Sequence, residues 1–304
     1  MVQSPTNNLT LCILAAGLGS RYGGLKQIDG FGPNGEALLE YGIYDAIQAW
    51  FKKVVIVIKK DIDEVFRKKF ENTFWDKIDI QIAYQDLDIS MYGHQTPTDR
   101  IKPRWTGHAV MTGAQYIDGP FVVVSADDYY GPHMMQLIAD NINTMPKNGG
   151  YIDCYHLGNT LSKYGWVNRW VCTIQDNILV SIQEHLKITQ HADGSIQDQD
   201  GVWLYTDTLV NMLSYCFQWW FYQIVKQEFQ KFLDSKPWLT DEFFITKVVE
   251  HMIKEDQAIF KALISPDHRV GVTNPDDKMP VQQHFSKLVQ QGIYPSPLRK
   301  SHQK

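Results

Sequence analysis

LTLCILAAGLGSRYGGLK, residues 9–26, is the stretch on which the reading of this chain turns. A short apolar run, 9–15, passes directly into a glycine-rich segment. An apolar run of that length ended by glycines reads as a buried strand feeding a turn. Gly17 and Gly19 let backbone N–H groups approach an anion and take up positive φ. Arg21 and Lys26 add positive charge suited to a triphosphate and to the charge that develops on its α-phosphorus. The loop has no Gly-Lys-Ser/Thr ending and no third glycine at dinucleotide spacing, which argues against kinase-like and dinucleotide-binding readings.

Outward from this stretch the pattern alternates. Residues 53–58 (KVVIVI), 79–84 and 120–125 (PFVVVS) read as strands, while 36–50, 61–70, 106–116 and 132–142 have helical spacing, with Asp61 a candidate N-cap. Strands alternating with helices predict parallel pairing, and ligands in such sheets lie beyond the carboxyl ends of the strands. The glycine loop and the Asp127–Asp128 pair both fall there, which puts them in one site. From residue 151 the rhythm becomes more antiparallel. Residues 151–156, 166–174, 178–184, 201–205 and 259–264 read as strands, and 208–231, 241–254 and 281–291 as helices. The expected fold is an α/β three-layer sandwich with a mostly parallel, Rossmann-like mixed sheet and a more antiparallel C-terminal half. The expected division is a core over 1–236, its nucleotide part about 1–150 and its acceptor part about 151–236, followed by a helical extension over 237–304.

Composition narrows the function classes. The chain has 304 residues, a net charge of −5 and a pI near 6.0, which gives no support for nucleic acid as a partner. No apolar run approaches the ~18 residues of a membrane span. The apolar segment 209–225 is broken by Gln218 and Gln223, and the N-terminus has no basic-then-apolar leader. The expectation is therefore a cytoplasmic protein with no membrane partner. Cys12, Cys154, Cys172 and Cys216 form no CxxC pair and read as buried, reduced thiols. The ten histidines show no HxH or HExxH spacing.

The segment at 14–26, LAAGLGSRYGGLK, resembles the signature of the nucleoside-triphosphate transferase family, of the sugar-1-phosphate nucleotidyltransferase type. The similarity extends with decreasing strength through GVT at 271–273 and GIYP at 292–295. It implies a glycosyltransferase-A-like fold and condensation of a nucleoside triphosphate with a phosphorylated small molecule, a sugar 1-phosphate, releasing pyrophosphate. It also implies Mg2+ as cofactor. By the same resemblance Leu14, Ala15, Ala16, Gly17, Gly19 and Ser20 bind the nucleotide. Arg21 holds the β- and γ-phosphates, and Lys26 bridges the α-phosphate and the acceptor phosphate.

Further segments carry the resemblance. In VVVSADDYYG, 122–131, two adjacent carboxylates at a strand end call for a nearby cation, and magnesium suits them. Asp127 falls at the family's metal-binding aspartate, with Asp128 a second candidate; a capping pair for the next helix is the other reading. Gln85, after the third strand, resembles a base-reading glutamine, or is a solvent-facing loop residue. KPRWTGHAV, 102–110, resembles an element beside the base to which Gly107 belongs, although Trp105 stands where the family has glycine, as do Trp50 and Trp170. YGWVNRW, 164–170, resembles a sugar-side element in which Gly165 admits the sugar. Glu184 and Lys187 resemble a pair holding sugar hydroxyls and the sugar phosphate; a surface ion pair is the plainer reading. Lys247 occupies the place of a second metal-binding aspartate. Two alternatives stay open. One is cytidylyl transfer to phosphocholine, whose ammonium would meet the aromatic faces of Trp166, Trp170 or Trp203. The other is a nucleotide-binding homologue without catalysis, suggested by Trp105 and Lys247. The sugar, the base and the oligomeric state are open at this stage.

Overall fold

The computed structural model describes residues 8–17, 26–70, 74, 76–100, 105–162, 165–271 and 277–298. In the N-terminal half, β1 (Thr10–Leu14), α1 (Leu38–Gln48), β2 (Lys53–Ile58), α2 (Asp63–Phe70), β3 (Asp79–Tyr84), α3 (Trp105–Ala114) and β4 (Phe121–Ser125) follow one another. The four strands are parallel, in the order β4-β1-β2-β3. Successive side chains in a strand point to opposite faces, so a strand buried on both sides must be apolar throughout. Leu11, Ile13, Val54, Ile56, Val122 and Val124 enter one apolar layer with α1 and α2. Cys12, Leu14, Val55, Val57, Phe121 and Val123 enter the other, with α3. Fully burying each large aliphatic contributes about 1.5–3 kcal/mol, which explains why KVVIVI is a strand over the expected residues.

The remaining elements are β5 (Asp128–Tyr129), α4 (Met134–Asn141), β6 (Gly149–His156), β7 (Val167–Gln175), β8 (Ile178–Gln190), β9 (Ile196–Gln197), β10 (Trp203–Leu204), β11 (Leu209–Asn211), β12 (Tyr215–Phe217), α5 (Phe221–Asp234), α6 (Ile245–Lys254), β13 (Ile259–Ile264), β14 (Val270–Gly271) and α7 (Lys278–Gln290). Helices α4 and α7 join α1 on the first face of the sheet; α5 and α6 join α3 on the second. This is the expected three-layer α/β arrangement with a mixed sheet. The segment 209–217 is shared between its halves. β12 lies between β4 and β6, antiparallel to both, and β11 lies between β6 and β7. β13 runs parallel to β6 along its other edge and meets β8 at Lys261–Ile178. Thus β6, β11, β7, β8 and β13 close into a ring, and the chain beyond residue 236 supplies one of its strands.

Two expectations about local structure are corrected. Residues 208–231 are not one helix but β11, a tight bend through Leu213 at φ 65°, β12 and then α5. Its polar residues Asn211, Ser214 and Gln218 recur every three or four positions, a helical spacing that strand pairing overrides. Asp61 lies inside a single 3-10 turn, 60–62, and pairs with Lys59 at 3.6 Å rather than capping α2. The four cysteines are buried free thiols. Among the described residues no helix is long and apolar enough to cross a membrane.

Trp50 follows the last turn of α1 in the left-handed region, φ 63°, and is 64% exposed. That conformation crowds Cβ against the following carbonyl and costs a non-glycine residue about 1–2 kcal/mol. Trp50→Gly is therefore expected to raise the unfolding free energy by roughly 1 kcal/mol, read as a higher urea midpoint. A lower midpoint would mean that the indole contributes contacts worth more than the strain.

Asp153, on β6, is buried beside the hydroxyls of Tyr155 and Ser214, yet neither carboxyl oxygen reaches hydrogen-bond geometry. Burial pushes its pKa up to about 8. An unfolded chain ionises this group near pH 4, so stability from Asp153 is fully present below that pH and is lost as pH rises to about 8. Asp153→Asn should flatten the fall, which is up to ~1.4 kcal/mol per pH unit. The check is urea unfolding of both proteins from pH 4 to 8; parallel curves would contradict it.

Candidate functional site

The site forms at the carboxyl ends of β1 and β4. Ala126 donates its N–H to the Leu14 carbonyl at 3.0 Å, and Ala15 donates to the Val57 carbonyl at 2.8 Å. These bonds hold the residues after β4 alongside the start of the glycine loop. Gln27 donates a side-chain N–H to the Gly17 carbonyl, closing the base of that loop. Among the described residues, nothing lies within 4 Å of where a Cβ of Gly17 would stand.

Lys26 forms an ion pair with Asp127 Oδ2, and the Ser125 hydroxyl donates to Asp127 Oδ1. Burial alone would raise the Asp127 carboxyl; the Lys26 ammonium, helped by Ser125 and Arg269, outweighs burial and holds it below the usual carboxylate range. Asp128 forms an ion pair with Arg269. The two carboxylates differ in access, the side chains being 27% exposed for Asp127 and 14% for Asp128. Below them the Tyr130 hydroxyl accepts the Ser125 N–H at 2.9 Å and donates to the Met212 carbonyl at 3.0 Å. The end of β4 is thereby fastened to the bend between β11 and β12. A water-sized crevice behind β4, lined by Ile13, Asp45, Ser125 and Asp128, has no room for a nucleotide.

Arg169 is buried against these groups. Its Nε donates to the Thr160 hydroxyl at 3.0 Å, Nη1 to the Asn168 carbonyl at 2.7 Å, and Nη2 to the Thr160 carbonyl. Burial first, and then the neighbouring Arg269 charge, bring its pKa down to about 9.

The other expected site residues are spread around this centre. Leu14, Ala15 and Ala16 are buried where β1 ends. Gly19, Ser20 and Arg21 lie outside the described residues, as does the side chain of Trp105. Gln85 follows β3 and is buried, not solvent-facing, with its N–H donating to the Ile58 carbonyl at 2.8 Å. Gly107 donates its N–H to the Phe243 carbonyl at 2.8 Å, and a Cβ there would collide with the Phe243 ring. Its bare Cα thus lets α3 pack on the segment before α6. Gly165 is exposed, and among the described residues nothing lies within 4 Å of where its Cβ would stand. Glu184 and Lys187 sit on β8, and among the described residues no ion pair joins them. Glu184 lies opposite Trp170 on β7, and its carboxyl is raised by burial, which the Lys247 charge partly offsets. The exposed Lys187, at φ 49°, donates its backbone N–H to Asn168 Oδ1 at 2.9 Å. Lys247 pairs with Glu250 at 2.7 Å and stands 5.3 Å above the Trp170 ring.

Sequence reasoning passed over Gln27, Ser125, Tyr130, Arg169 and Arg269. Ser125 and Tyr130 flank the aspartates and Arg169 falls in YGWVNRW, so three of the five were within the quoted segments, and Gln27 adjoins Lys26. Arg269 meets Asp128 across 141 positions of chain, and only its place two residues before GVT marked it.

Among the described residues no group of three or more His, Cys, Asp or Glu could hold a metal ion. That composition does not supply an all-protein cage. It suits magnesium, which takes one or two carboxylates and fills its octahedron with waters and substrate phosphates.

The comparisons with known proteins come from structure. No family model matches the chain, and no curated protein matches it significantly. Its structure is similar to the inositol-1-phosphate CTP transferase of T. maritima, at TM-score 0.60 and 12% identity over 92% of this chain and 96% of that one. It is similar to a protein described as a glucose-1-phosphate thymidylyltransferase from Bacillus anthracis, at TM-score 0.65 and 13% identity over 91% and 95%. It is also similar to a UDP-glucose pyrophosphorylase complexed with UDP-glucose, at TM-score 0.60 and 14% identity over 91% and 98%. The chain shares the fold of these nucleotidyltransferases across nearly its whole length.

Removing the Lys26 charge leaves burial as the dominant influence on Asp127. In Lys26→Met the Asp127 carboxyl is expected to titrate at a higher pH than in the parent protein, followed by carboxyl 13C NMR. An unchanged titration would show that Lys26 is not the compensating charge.

Proposed function

We propose that this chain is a nucleotidyltransferase that condenses a nucleoside triphosphate with a sugar 1-phosphate, giving a nucleotide sugar and pyrophosphate. The observation that carries this reading is the meeting of Lys26 and Asp127 beside the backbone of Gly17. A cation, an ionised carboxylate and a glycine backbone at the carboxyl ends of parallel strands are what a metal-bound triphosphate requires. Similarity of fold to enzymes named for CTP, thymidylyl and UDP-glucose chemistry supports it.

In this reading the residues 14–17 line the nucleotide, joined by Gly19, Ser20 and Arg21, and Gln85 and Gly107 lie toward the base. Asp127 holds Mg2+, which when bound neutralises charge on the phosphate oxygens. Lys26 leaves Asp127 for the α-phosphate and the acceptor phosphate. An acceptor phosphate oxygen attacks the α-phosphorus, the bond to the bridging oxygen of the β-phosphate breaks, and pyrophosphate leaves. Lys26 offsets the negative charge that grows on the α-phosphate during this exchange. Gly165, Glu184 and Lys187 receive the sugar and its phosphate.

One observation favours a second acceptor class. The Trp170 ring already carries a cation, Lys247, with the Glu184 carboxylate on the neighbouring strand. An acceptor with a quaternary ammonium, such as phosphocholine, suits the same face. Screening sugar 1-phosphates and phosphocholine against each triphosphate by pyrophosphate release separates the two readings.

With magnesium and the matching substrates, Lys26→Ala should release pyrophosphate about 10²–10³-fold more slowly. Unchanged turnover would remove Lys26 from the reaction, and absence of pyrophosphate with every pair tested would remove the transferase reading.

A further inference from the structure

The two ion pairs at the end of β4 are built differently. Lys26 reaches Asp127 on an unbranched stem, as a point charge that three rotatable donors can redirect. Arg269 is fixed. Its N–H donates to the Asn159 carbonyl at 3.1 Å, and the adjoining β14 pairs with β5 in the register Gly271↔Asp128 and Val270↔Tyr129. A Cβ at Gly271 would collide with both the guanidinium and the Asp128 carboxylate, so glycine admits the close approach. The planar guanidinium is thereby clamped on Asp128. On the other side the buried Arg169 repels Arg269 and favours its contact with the acidic pair. Of the two carboxylates, Asp128 acts on Arg269 more strongly than Asp127 does.

We propose that Arg269 is a fixed internal counter-ion that keeps Asp128 out of metal ligation, so that a single divalent ion enters on Asp127 alone while Lys26 gives way. This rests on reading the cleft as a metal–triphosphate site. Arg269 then acts as a positioning residue. It satisfies one member of a carboxylate pair with a protein cation and leaves the other to be satisfied by the ligand. The number of ions held by the protein is set by a residue remote in sequence from both aspartates.

The test uses Mn2+ as a spin probe, titrated by electron paramagnetic resonance into the nucleotide-free full chain. Asp127→Asn should abolish binding, whereas Asp128→Asn, which removes no ligand but leaves the Arg269 charge unpaired, should weaken it by no more than about tenfold. Arg269→Met frees the Asp128 carboxylate and removes a positive charge, so Mn2+ should bind about tenfold more tightly. Arg269→Lys keeps the charge without the fixed fork and should tighten binding less than Arg269→Met, and adding Asp128→Asn to Arg269→Met should cancel the gain. A merely structural role would weaken binding instead. Asp128→Asn weakening Mn2+ as much as Asp127→Asn, or Arg269→Met failing to tighten it, would overturn the proposal. If Arg269→Met does not fold, the comparison of the two asparagine variants decides. Pyrophosphate is not measured, so tighter Mn2+ binding in Arg269→Met stands even if the transferase reading falls. Binding unaffected by Asp127→Asn would overturn the metal site and the proposal together.

Discussion

Two carboxylates on consecutive residues at the end of a buried strand repel each other, and burial penalises both charges. The site at β4 exists because each finds its own cation: Lys26 for Asp127 and Arg269 for Asp128. These cations arrive by different routes. Lys26 comes from the loop after β1, the strand next to β4. Arg269 comes from near the C-terminus and is held by the two-stranded pairing of β5 with β14. Much of the local structure serves this balance. Tyr130 satisfies the backbone beneath the aspartates, Gly271 admits the guanidinium, and Arg169 braces the segment that Arg269 hangs from.

The sheet supplies the fixed frame. Strands β1, β2 and β4 bury alternate residues in opposite layers, so a change in register would move every side chain into the wrong layer. The carboxyl ends of these strands are therefore held in a constant relation, and loops built on them inherit that constancy. Gly17 and Asp127 follow such strand ends. The proposed acceptor side rests instead on the long hairpin of β7 and β8, where register shifts occur between Val167 and Arg169 and between Thr173 and Ile174. Glu184, Trp170 and Lys247 meet there in more exposed surroundings.

What the amino-acid pattern revealed follows the range of the interactions. KVVIVI has one fate in a sheet covered on both faces, and its boundaries were legible. The meeting of Lys26 with Asp127 was legible because strand alternation places the residues after β1 and after β4 at the same sheet edge. The run from 208 to 231 was misread because its polar residues fall at helical spacing; only its neighbours β4, β6 and β7 make its first part a strand. Arg269 was illegible for a similar reason. Its meaning lies in a partner far along the chain, and an arginine before a short strand has no local signature. The burial of Gln85 and the covering of Gly107 by Phe243 depend likewise on distant segments.

The placing of β12 has a consequence for biosynthesis. The central strand β4 pairs on one side with β1, already made, and on the other with residues 215–217. As the polypeptide leaves the ribosome, the second edge of β4 waits unpaired until those residues emerge. Its row of Val122, Val123 and Val124 is the kind of apolar edge that other chains can join. A nascent product that stalls before β12 is therefore a better substrate for chaperones than a shorter one that stalls before β4.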